Sequence, residues 1–423
     1  MQRVAALVEN GDCLQALLRL WILAQEREGE TSRLNRWERE RASNQDFRRQ
    51  IEAFRASLET DGEIIAASAI TAAPLAFLRA LDAFASDSLE ETPPSSPIEE
   101  DGRRCWVVRT STPLRSRLDH QTGCIGAQLT HHRIIPEQTA YGIRVAVLSA
   151  SGRMAAALSS LAQAGDELRV WIGHVRDGAR LTWETSPAGR FRLTGISPAE
   201  SRHDSLRATL TRASESGAHA VILPEFTVDL GARHIVAEWL DSNRGHPFLF
   251  VVAGSFHEGT QDGWFNTAEL WDHSAATVLA HRKLRLFGEA DGLAEDVGEG
   301  NHVSVLVTPI GTLTLLICKD FMDEHPRVAS LLREVPVDWA LVPSYGDDHT
   351  SAAHRTRADS LARVGPGTTS ILATQRNVEV GEGKALPGFA VRAGDGKMLD
   401  VSPDGGLVVL GLPTRNGALK RIK

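Results

Sequence analysis

The sequence predicts a layered α/β domain that follows a mainly helical N-terminal region. From about residue 141 onward, short apolar runs typical of strands alternate with helical stretches, and several hairpins are inserted among them. Before residue 87 the apolar residues recur instead at helical spacing. A stretch rich in proline, serine and acidic residues lies between the two patterns.

Residues 1–86 predict helices and contain no catalytic motif. One helical face is indicated by apolar residues at i, i+3, i+4 and i+7, namely Leu14, Leu17, Leu18 and Trp21. Residues 26–56 are rich in charge and predict a helix or helix pair that faces solvent or a protein partner. Residues 64–84 predict another helix, which Pro74 would interrupt. Acidic residues are interleaved with the arginines, which makes nucleic-acid binding an unfavoured alternative.

The Pro/Ser/acid-rich stretch at residues 87–103 predicts a linker. Residues 104–140 are interpreted as a connecting segment with one short strand at 105–109 and polar loops. The pair His131-His132 is expected on a loop surface, because no other metal-ligand candidates stand at a useful spacing. Residues 141–423 then form the main domain.

The main domain is expected to build a sheet structure with both faces covered by helices. Helices are predicted at 155–164, 203–216, 235–243, 328–333 and 354–364. Strands are predicted at 143–148, 168–175, 190–194, 220–223, 248–254, 268–271, 276–279, 303–307, 313–317, 339–342, 370–374, 388–391 and 407–410. Either 143–148 or 190–194 could be the first strand of this domain.

Composition excludes several functional classes. The net charge of −8 over 423 residues gives no drive toward nucleic acid or an anionic membrane. The four cysteines are scattered and show no CxxC pair, so the sequence predicts neither a metal site nor a disulfide framework, and no cofactor. No apolar run has the length of a membrane span, and charge interrupts the N-terminus too early for a signal peptide. We therefore expect a soluble cytoplasmic protein.

Cys318 is the candidate nucleophile. It follows the β-branched and aliphatic run 312–317, which predicts a buried strand, and two polar residues come after it. Ligands collect near the carboxyl ends of strands in open α/β sheets, so a thiol at this point could reach a pocket. Taken alone, the residue is better interpreted as a buried structural thiol, since free cysteine is among the most buried residue types.

Two more residues complete a possible constellation. Glu225 follows a short apolar strand that ends in proline, and Lys283 lies in a basic segment. A thiol nucleophile needs a base, and a carboxylate can serve if burial raises its pKa. Attack on an amide builds an oxyanion, which a fixed cation and backbone N–H groups can stabilise. Considered singly, the acid could be an exposed loop carboxylate and the lysine a surface cation.

Three motifs in this order resemble those of the nitrilase, or carbon–nitrogen hydrolase, superfamily. They are Leu223-Pro224-Glu225, the segment around Lys283, and Ile317-Cys318-Lys319-Asp320. Flanking matches extend the resemblance over about residues 141–412, namely Trp264 to Ala268, Gly288-Glu289, Arg357-Ala358 and Gln375 to Asn377.

The resemblance implies a four-layer α-β-β-α sandwich that forms a homodimer or higher homo-oligomer. It implies that Glu225 is the general base, that Cys318 forms a thioester, and that Lys283 stabilises the tetrahedral intermediate with help from the Lys319 N–H. Glu289 would bring a second carboxylate that orients the substrate or protonates the leaving amine.

Phe287, Tyr345 and the side chain of Lys319 are candidates for the wall of the substrate pocket. Lys319 also marks a departure from the family pattern, in which the position after the cysteine is often aromatic. The implied substrate is a small amide or carbamoyl compound in preference to a nitrile. Two alternatives stay open: an acyltransferase that uses the same thioester, and a regulatory or partner-binding protein that uses the domain as a ligand sensor.

Overall fold

Two large β-sheets face each other in the computed structural model and form the centre of the molecule. The structure describes residues 1–26, 44–60, 65–88, 96–109, 129, 131–165, 167–175, 178–288, 294–322, 325–363, 367–375, 388–393, 395–402 and 404–412. Among these residues, no helix is long and apolar enough to cross a membrane.

The first sheet has six strands in the order β11-β10-β9-β8-β5-β18. Its central strands β5, β8 and β9 are parallel, and the other pairings are antiparallel. The strands are β5 (Glu167–Ile172), β8 (Ala220–Ile222), β9 (Phe250–Thr260), β10 (Gly263–Asp272), β11 (Thr277–Arg282) and β18 (Gly406–Gly411).

The second sheet has seven strands in the order β17-β16-β15-β14-β13-β12-β4. Strands β13, β14 and β15 run parallel, as do β4 and β12. The strands are β4 (Arg144–Ser149), β12 (His302–Thr308), β13 (Gly311–Leu315), β14 (Trp339–Tyr345), β15 (Thr369–Gln375), β16 (Phe389–Val391) and β17 (Met398–Asp400).

Buried side chains show four layers. One apolar core joins the facing sides of the two sheets, with Val170 and Val252 from the first and Leu313 and Leu341 from the second. Helices α7 (Ala199–Glu215) and α8 (Leu230–Ser242) cover the outer side of the six-stranded sheet. The outer side of the seven-stranded sheet is covered by α9 (Pro326–Ala329), α10 (Leu331–Glu334) and α11 (Asp348–Arg363). The predicted α-β-β-α sandwich is confirmed.

The ambiguity about the first strand is resolved by the pairing. Residues Arg144–Ser149 form β4, which pairs in parallel with β12 inside the sandwich. The other candidate, 190–194, instead belongs to β7 (Phe191–Ser197), which pairs with β6 (Arg180–Thr185) in a separate two-stranded sheet. This β6–β7 hairpin lies between β5 and the α7 helix in the chain, with helix α6 (Gly152–Ala164) before β5.

The N-terminal region combines helices with a small sheet. The described helices are α1 (Gln2–Glu9), α2 (Cys13–Glu26), α3 (Asn44–Glu59), α4 (Ala67–Ala72) and α5 (Pro74–Ser88). Strands β1 (Ile98–Glu100), β2 (Arg103–Arg109) and β3 (His132–Pro136) form an antiparallel sheet. Pro74 begins a helix instead of breaking one, since a first-turn proline sacrifices no helical hydrogen bond.

This small sheet differs from the connecting segment and linker that the sequence suggested. β1 lies inside the stretch 87–103, of which residues 89–95 are outside the described residues. Both faces of the β1–β3 sheet are buried. Cys105, Val107 and Ile134 pack with the N-terminal helices, whereas Val108 and Ile135 join the core beneath the seven-stranded sheet. Alternation along a strand sends successive side chains to opposite faces, so one short sheet connects the two parts of the chain.

A buried ion pair reinforces this connection. Arg133 of β3 donates to Asp338 at 2.8 Å, and both side chains are almost fully buried. The other oxygen of Asp338 accepts the backbone N–H and the hydroxyl of Thr312, at 2.7 and 3.0 Å. His132, which the sequence placed on a loop surface, is also buried, and its Nδ1 lies 2.9 Å from Asp82.

Candidate active site

Cys318 lies three residues beyond the end of β13, at the first position of a short 3₁₀ helix, Cys318–Phe321. Its φ of 44° is unusual for a residue with a side chain and turns the chain sharply out of the sheet. The carbonyl of Cys318 accepts a hydrogen bond from Nε2 of His354 at 3.1 Å, which holds this strained backbone. The thiol is buried and points at the carbonyl oxygen of Tyr345, 3.5 Å away.

Asp320 joins the turn around the cysteine to the segment around the lysine. One of its carboxylate oxygens accepts the N–H groups of Leu284 and Arg285 at 2.9 and 2.8 Å, directly after Lys283. The other accepts the N–H of Ile317 at 3.2 Å, directly before the cysteine. Because Asp320 is buried, these charge-assisted bonds fix the relative position of two segments far apart in sequence.

Glu225 reaches the site from the end of β8. The loop before it lies directly on β9, where a side chain at Gly254 would place its Cβ only 2.4 Å from the Pro224 carbonyl oxygen. Gly254 also has a φ of 65°, a conformation that glycine adopts without strain. Close contact between loop and strand therefore aims the Glu225 carboxylate into the space between the sheets.

Lys283 joins two carboxylates. Its ammonium group donates to Glu225 at 2.9 Å and to Glu295 at 3.1 Å, and all three side chains are almost completely buried. Burial by itself would lower the pKa of Lys283, but Glu225 and Glu295, with a further contribution from Cys318, raise it above its usual value. The lysine is therefore a permanent cation at the centre of the site.

Asn266 also contacts both carboxylates. Its side-chain amide donates to Glu225 at 2.9 Å and to Glu295 at 3.1 Å, and the residue is fully buried on β10. The Tyr345 N–H donates to the second oxygen of Glu225 at 2.9 Å. Strand ends from both sheets thus hold the two acids in fixed positions.

The two carboxylates have pKa values shifted in opposite directions. Burial raises the pKa of Glu225, and the neighbouring charge of Glu295 raises it further, against the opposing effect of Lys283. Glu295 is equally buried, but Lys283 and the hydrogen bonds from His257 and the Phe287 N–H lower its pKa to about 2. Two acids whose environments separate their pKa values are suited to different roles in proton transfer.

The thiol is protonated at rest. Burial, followed by the charge of Glu225, raises the pKa of Cys318 to about 12, against smaller opposing effects from Lys283, Ser344 and the Tyr345 backbone. Use of this thiol as a nucleophile would therefore require transfer of its proton to a nearby base.

Aromatic rings surround this charged centre. Phe226 contacts Tyr345 with ring centroids 5.4 Å apart, and Phe191 of the hairpin lies 6.4 Å from Phe287. The ammonium of Lys319 lies 5.3 Å from the centre of the Phe287 ring, a cation–π distance. The side chains predicted for the pocket wall are therefore neighbours of the buried cluster.

The structure brings Glu225, Lys283 and Cys318 together, as the sequence motifs predict. Glu289 is outside the described residues. The second carboxylate on the lysine is Glu295, which the sequence analysis did not select because no short motif marks it. Asn266, His257 and Asp320 were likewise given no role, although Asn266 and Asp320 lie within the quoted motifs.

Comparison with protein-family models finds no match, and neither does comparison with curated proteins. Solved structures do match. An amidase from Nesterenkonia sp. is 22% identical, with a TM-score of 0.42 over 60% of this chain and 94% of that chain. Saccharomyces cerevisiae Nit3, a member of branch 10 of the nitrilase superfamily, is 16% identical, with a TM-score of 0.43 over 58% of this chain and 90% of that chain.

Proposed function

We propose that this protein is a thiol-dependent hydrolase of non-peptide C–N bonds that acts on amide or carbamoyl compounds in preference to nitriles. One observation carries the proposal: the buried Lys283 joins two carboxylates with opposite pKa shifts beside the buried thiol of Cys318. Such a set supplies a nucleophile, a base and a fixed cation.

In the first step, the Cys318 sulfur attacks the carbonyl carbon of the substrate while the thiol proton passes to Glu225. The raised pKa of Glu225 suits this role, because it reduces the difference between the pKa values of Glu225 and Cys318 and makes the carboxylate a stronger base. The product is a tetrahedral intermediate with a negative charge on the former carbonyl oxygen.

Stabilisation of that oxyanion is assigned to Lys283, with the Lys319 N–H as a second donor. The lysine is already held in place by its two carboxylate partners, so little reorganisation is needed when the charge develops. Collapse of the intermediate breaks the C–N bond, and Glu225 returns its proton to the leaving amine or ammonia.

Deacylation repeats the same chemistry with water. Glu225 accepts a proton from water, the resulting hydroxide attacks the thioester, and the C–S bond breaks as Glu225 returns that proton to Cys318. The product is a carboxylic acid, which loses its proton to solvent and leaves as a carboxylate. Glu295 takes no proton in this scheme, since its pKa of about 2 keeps it anionic throughout. We assign it to holding Lys283 and Asn266.

Intact-protein mass spectrometry after incubation with a panel of amides, carbamoyl compounds and nitriles tests the proposal. We expect a covalent adduct on Cys318 with at least one amide, and no adduct in Cys318→Ala or Glu225→Gln. A matched control is Cys105→Ala, which removes a buried thiol far from the cluster. It should form the adduct normally.

The same panel separates the alternatives. Transfer of the acyl group to an added amine in preference to water would indicate an acyltransferase. No adduct and no turnover across the panel would overturn the hydrolase proposal and favour the ligand-sensor alternative. In that case a cellular function should survive the Cys318→Ala substitution.

A further inference from the structure

A hydrogen-bond chain links the β6–β7 hairpin to the carboxylate of Glu295. The Leu193 N–H donates to Nδ1 of His257 at 3.0 Å. The other ring nitrogen, Nε2, lies 3.0 Å from Glu295. A backbone N–H can only donate, so Nδ1 must be an unprotonated acceptor. The imidazole proton is consequently on Nε2, where it points at the carboxylate.

We infer that His257 is a positioning residue of the active site, which uses the Nε2–H fixed by the hairpin backbone to hold Glu295 as an oriented anion. The effect on catalysis rests on the function proposed above, whereas the position of the proton does not. His257 lies in no motif by which the chain resembles its suggested family.

The contacts of Glu295 show why this donor matters. The oxygen that accepts from His257 also accepts from Asn266 at 3.1 Å and from Lys283 at 3.2 Å. The second oxygen accepts from Lys283 at 3.1 Å and from the Phe287 N–H at 2.6 Å. His257 and the backbone donor are the partners that Glu295 does not share with Glu225, so they distinguish the two acids.

The hairpin is anchored to the Glu295 segment without help from the histidine. The Phe191 N–H donates to the Ala294 carbonyl at 2.8 Å, and the Asp296 N–H donates to the Phe191 carbonyl at 2.7 Å. The Phe191 and His257 rings are also stacked, with centroids 6.0 Å apart. The Leu193 N–H is therefore presented to Nδ1 by a strand whose position is already fixed.

The ionisable groups bonded to Glu295 are Lys283 and His257, and Glu225 and Cys318 lie in the same cluster. Removal of the Nε2–H takes away a donor to the anionic form, so the pKa of Glu295 should rise. As the pH falls, the cluster binds one proton, which resides on Glu225 in the wild-type protein. In the variant, Glu225 and Glu295 would share this proton, so the cluster would bind it at a higher pH. The acid limb of kcat/KM should consequently move to higher pH.

Kinetics of two substitutions test the positioning role. His257→Leu removes the donor and should lower kcat about tenfold to a hundredfold, with a smaller change in KM. This factor corresponds to the loss of one hydrogen bond to a charged group. His257→Gln can place an amide N–H where Nε2 lies, and it should restore most of kcat and the wild-type acid limb.

His246→Leu is a matched control. His246 is another buried histidine of the sandwich, and its Nδ1 accepts the Phe248 N–H at 3.1 Å. Among the described residues, no carboxylate is hydrogen-bonded to its ring. Its loss should leave the pH profile unchanged. If His257→Leu also retains the wild-type kcat and acid limb, the histidine is merely structural and the inference is overturned.

NMR of the resting protein gives a readout that does not depend on turnover. Long-range ¹H–¹⁵N spectra of histidine-labelled protein, with His257→Gln used to assign the signal, should show the proton on Nε2. A proton on Nδ1 would contradict the inference. If the proton is on Nε2 but the wild-type protein neither turns over nor forms an adduct, only the proposed function fails.

Discussion

Two buried charged clusters of the protein differ in composition. Where the β1–β3 sheet packs on the sandwich, one guanidinium faces one carboxylate. In the candidate active site, at the strand ends of the sandwich, one ammonium faces two carboxylates and a thiol. Arg133 and Asp338 form the first cluster, and Lys283, Glu225 and Glu295 form the charged part of the second. Both clusters are buried, so burial does not distinguish them.

The difference lies in the balance of charge. A single lysine cannot compensate two carboxylates equally in a medium of low dielectric, so the environment of one acid must favour the proton. Glu295 receives the additional donors and stays anionic, and the pKa of Glu225 rises. The Arg133–Asp338 pair connects two parts of the fold, whereas the cluster around Lys283 holds one carboxylate with a raised pKa.

Replacement of the central lysine should have the largest effect. Lys283→Ala leaves two buried carboxylates without their cation, so turnover should become undetectable and the free energy of unfolding at neutral pH should fall by about 3–5 kcal/mol. The stability loss should shrink as the pH is lowered, because both acids then have raised pKa values and protonate in the folded state. Kinetics and denaturant unfolding at two pH values measure both effects.

Arg285→Ala is the matched control for the lysine, since Arg285 is a half-exposed cation two residues further along. It should change stability by less than about 1 kcal/mol. Turnover by Lys283→Ala at a normal kcat would disprove the assigned role of the lysine.

Disruption of the ion pair between Arg133 and Asp338 should affect stability alone. Arg133→Ala leaves Asp338 buried without its cation and should lower the free energy of unfolding by about 3–5 kcal/mol, while the folded protein keeps its kcat. Arg104→Ala, which removes an exposed ion pair to Glu137 just after the neighbouring strand, should cost less than about 1 kcal/mol. A large fall in kcat for Arg133→Ala at full folding would show that the two clusters are coupled.

Removal of the Glu295 carboxylate should lower the pKa of Glu225. Glu295→Gln abolishes the negative charge that helps to raise the pKa of Glu225, so the acid limb of kcat/KM should move to lower pH. Poorer placement of Lys283 should also reduce kcat, by about a hundredfold if roughly 2–3 kcal/mol of charge-assisted bonding is lost.

The pH dependence of kcat/KM measures that shift, with Glu299→Gln as a control for an exposed glutamate in the next segment. An acid limb that moves upward in Glu295→Gln would contradict the assignment of Glu225 as the base.

The smallest effect is expected at the aromatic wall. Tyr345 holds Glu225 through its backbone N–H, and its ring contacts Phe226, so Tyr345→Phe keeps both interactions. We expect kcat/KM for a small amide to change by less than about threefold, because the half-buried ring and the backbone donor are both kept and the change is worth under about 0.5 kcal/mol. A loss of a hundredfold would show that the phenol hydroxyl takes part in substrate binding or chemistry, and the same assay measures it.

Sequence pattern predicted a layered α/β domain, because its central strands are short runs buried on both faces and alternate with helices. The four-layer sandwich was instead an implication of the family resemblance. The β1–β3 sheet was harder to predict. β2 and β3 pair although residues 110–131 separate them in the chain. β1 lies in a stretch whose prolines and acidic residues indicate a linker. The hairpin strand 190–194 was recognised as extended, but its partner and its contact with the active site were not.

Three candidate positions could be selected from the sequence, because Glu225, Lys283 and Cys318 lie in motifs that resemble those of the nitrilase superfamily. Only the tertiary structure identified Glu295 as the acid that shares Lys283, and only it separated the two pKa values. The physical reason is that a pKa depends on burial and on donors brought from other strands. Those donors include the imidazole of His257, whose own proton is set by the backbone of a separate hairpin.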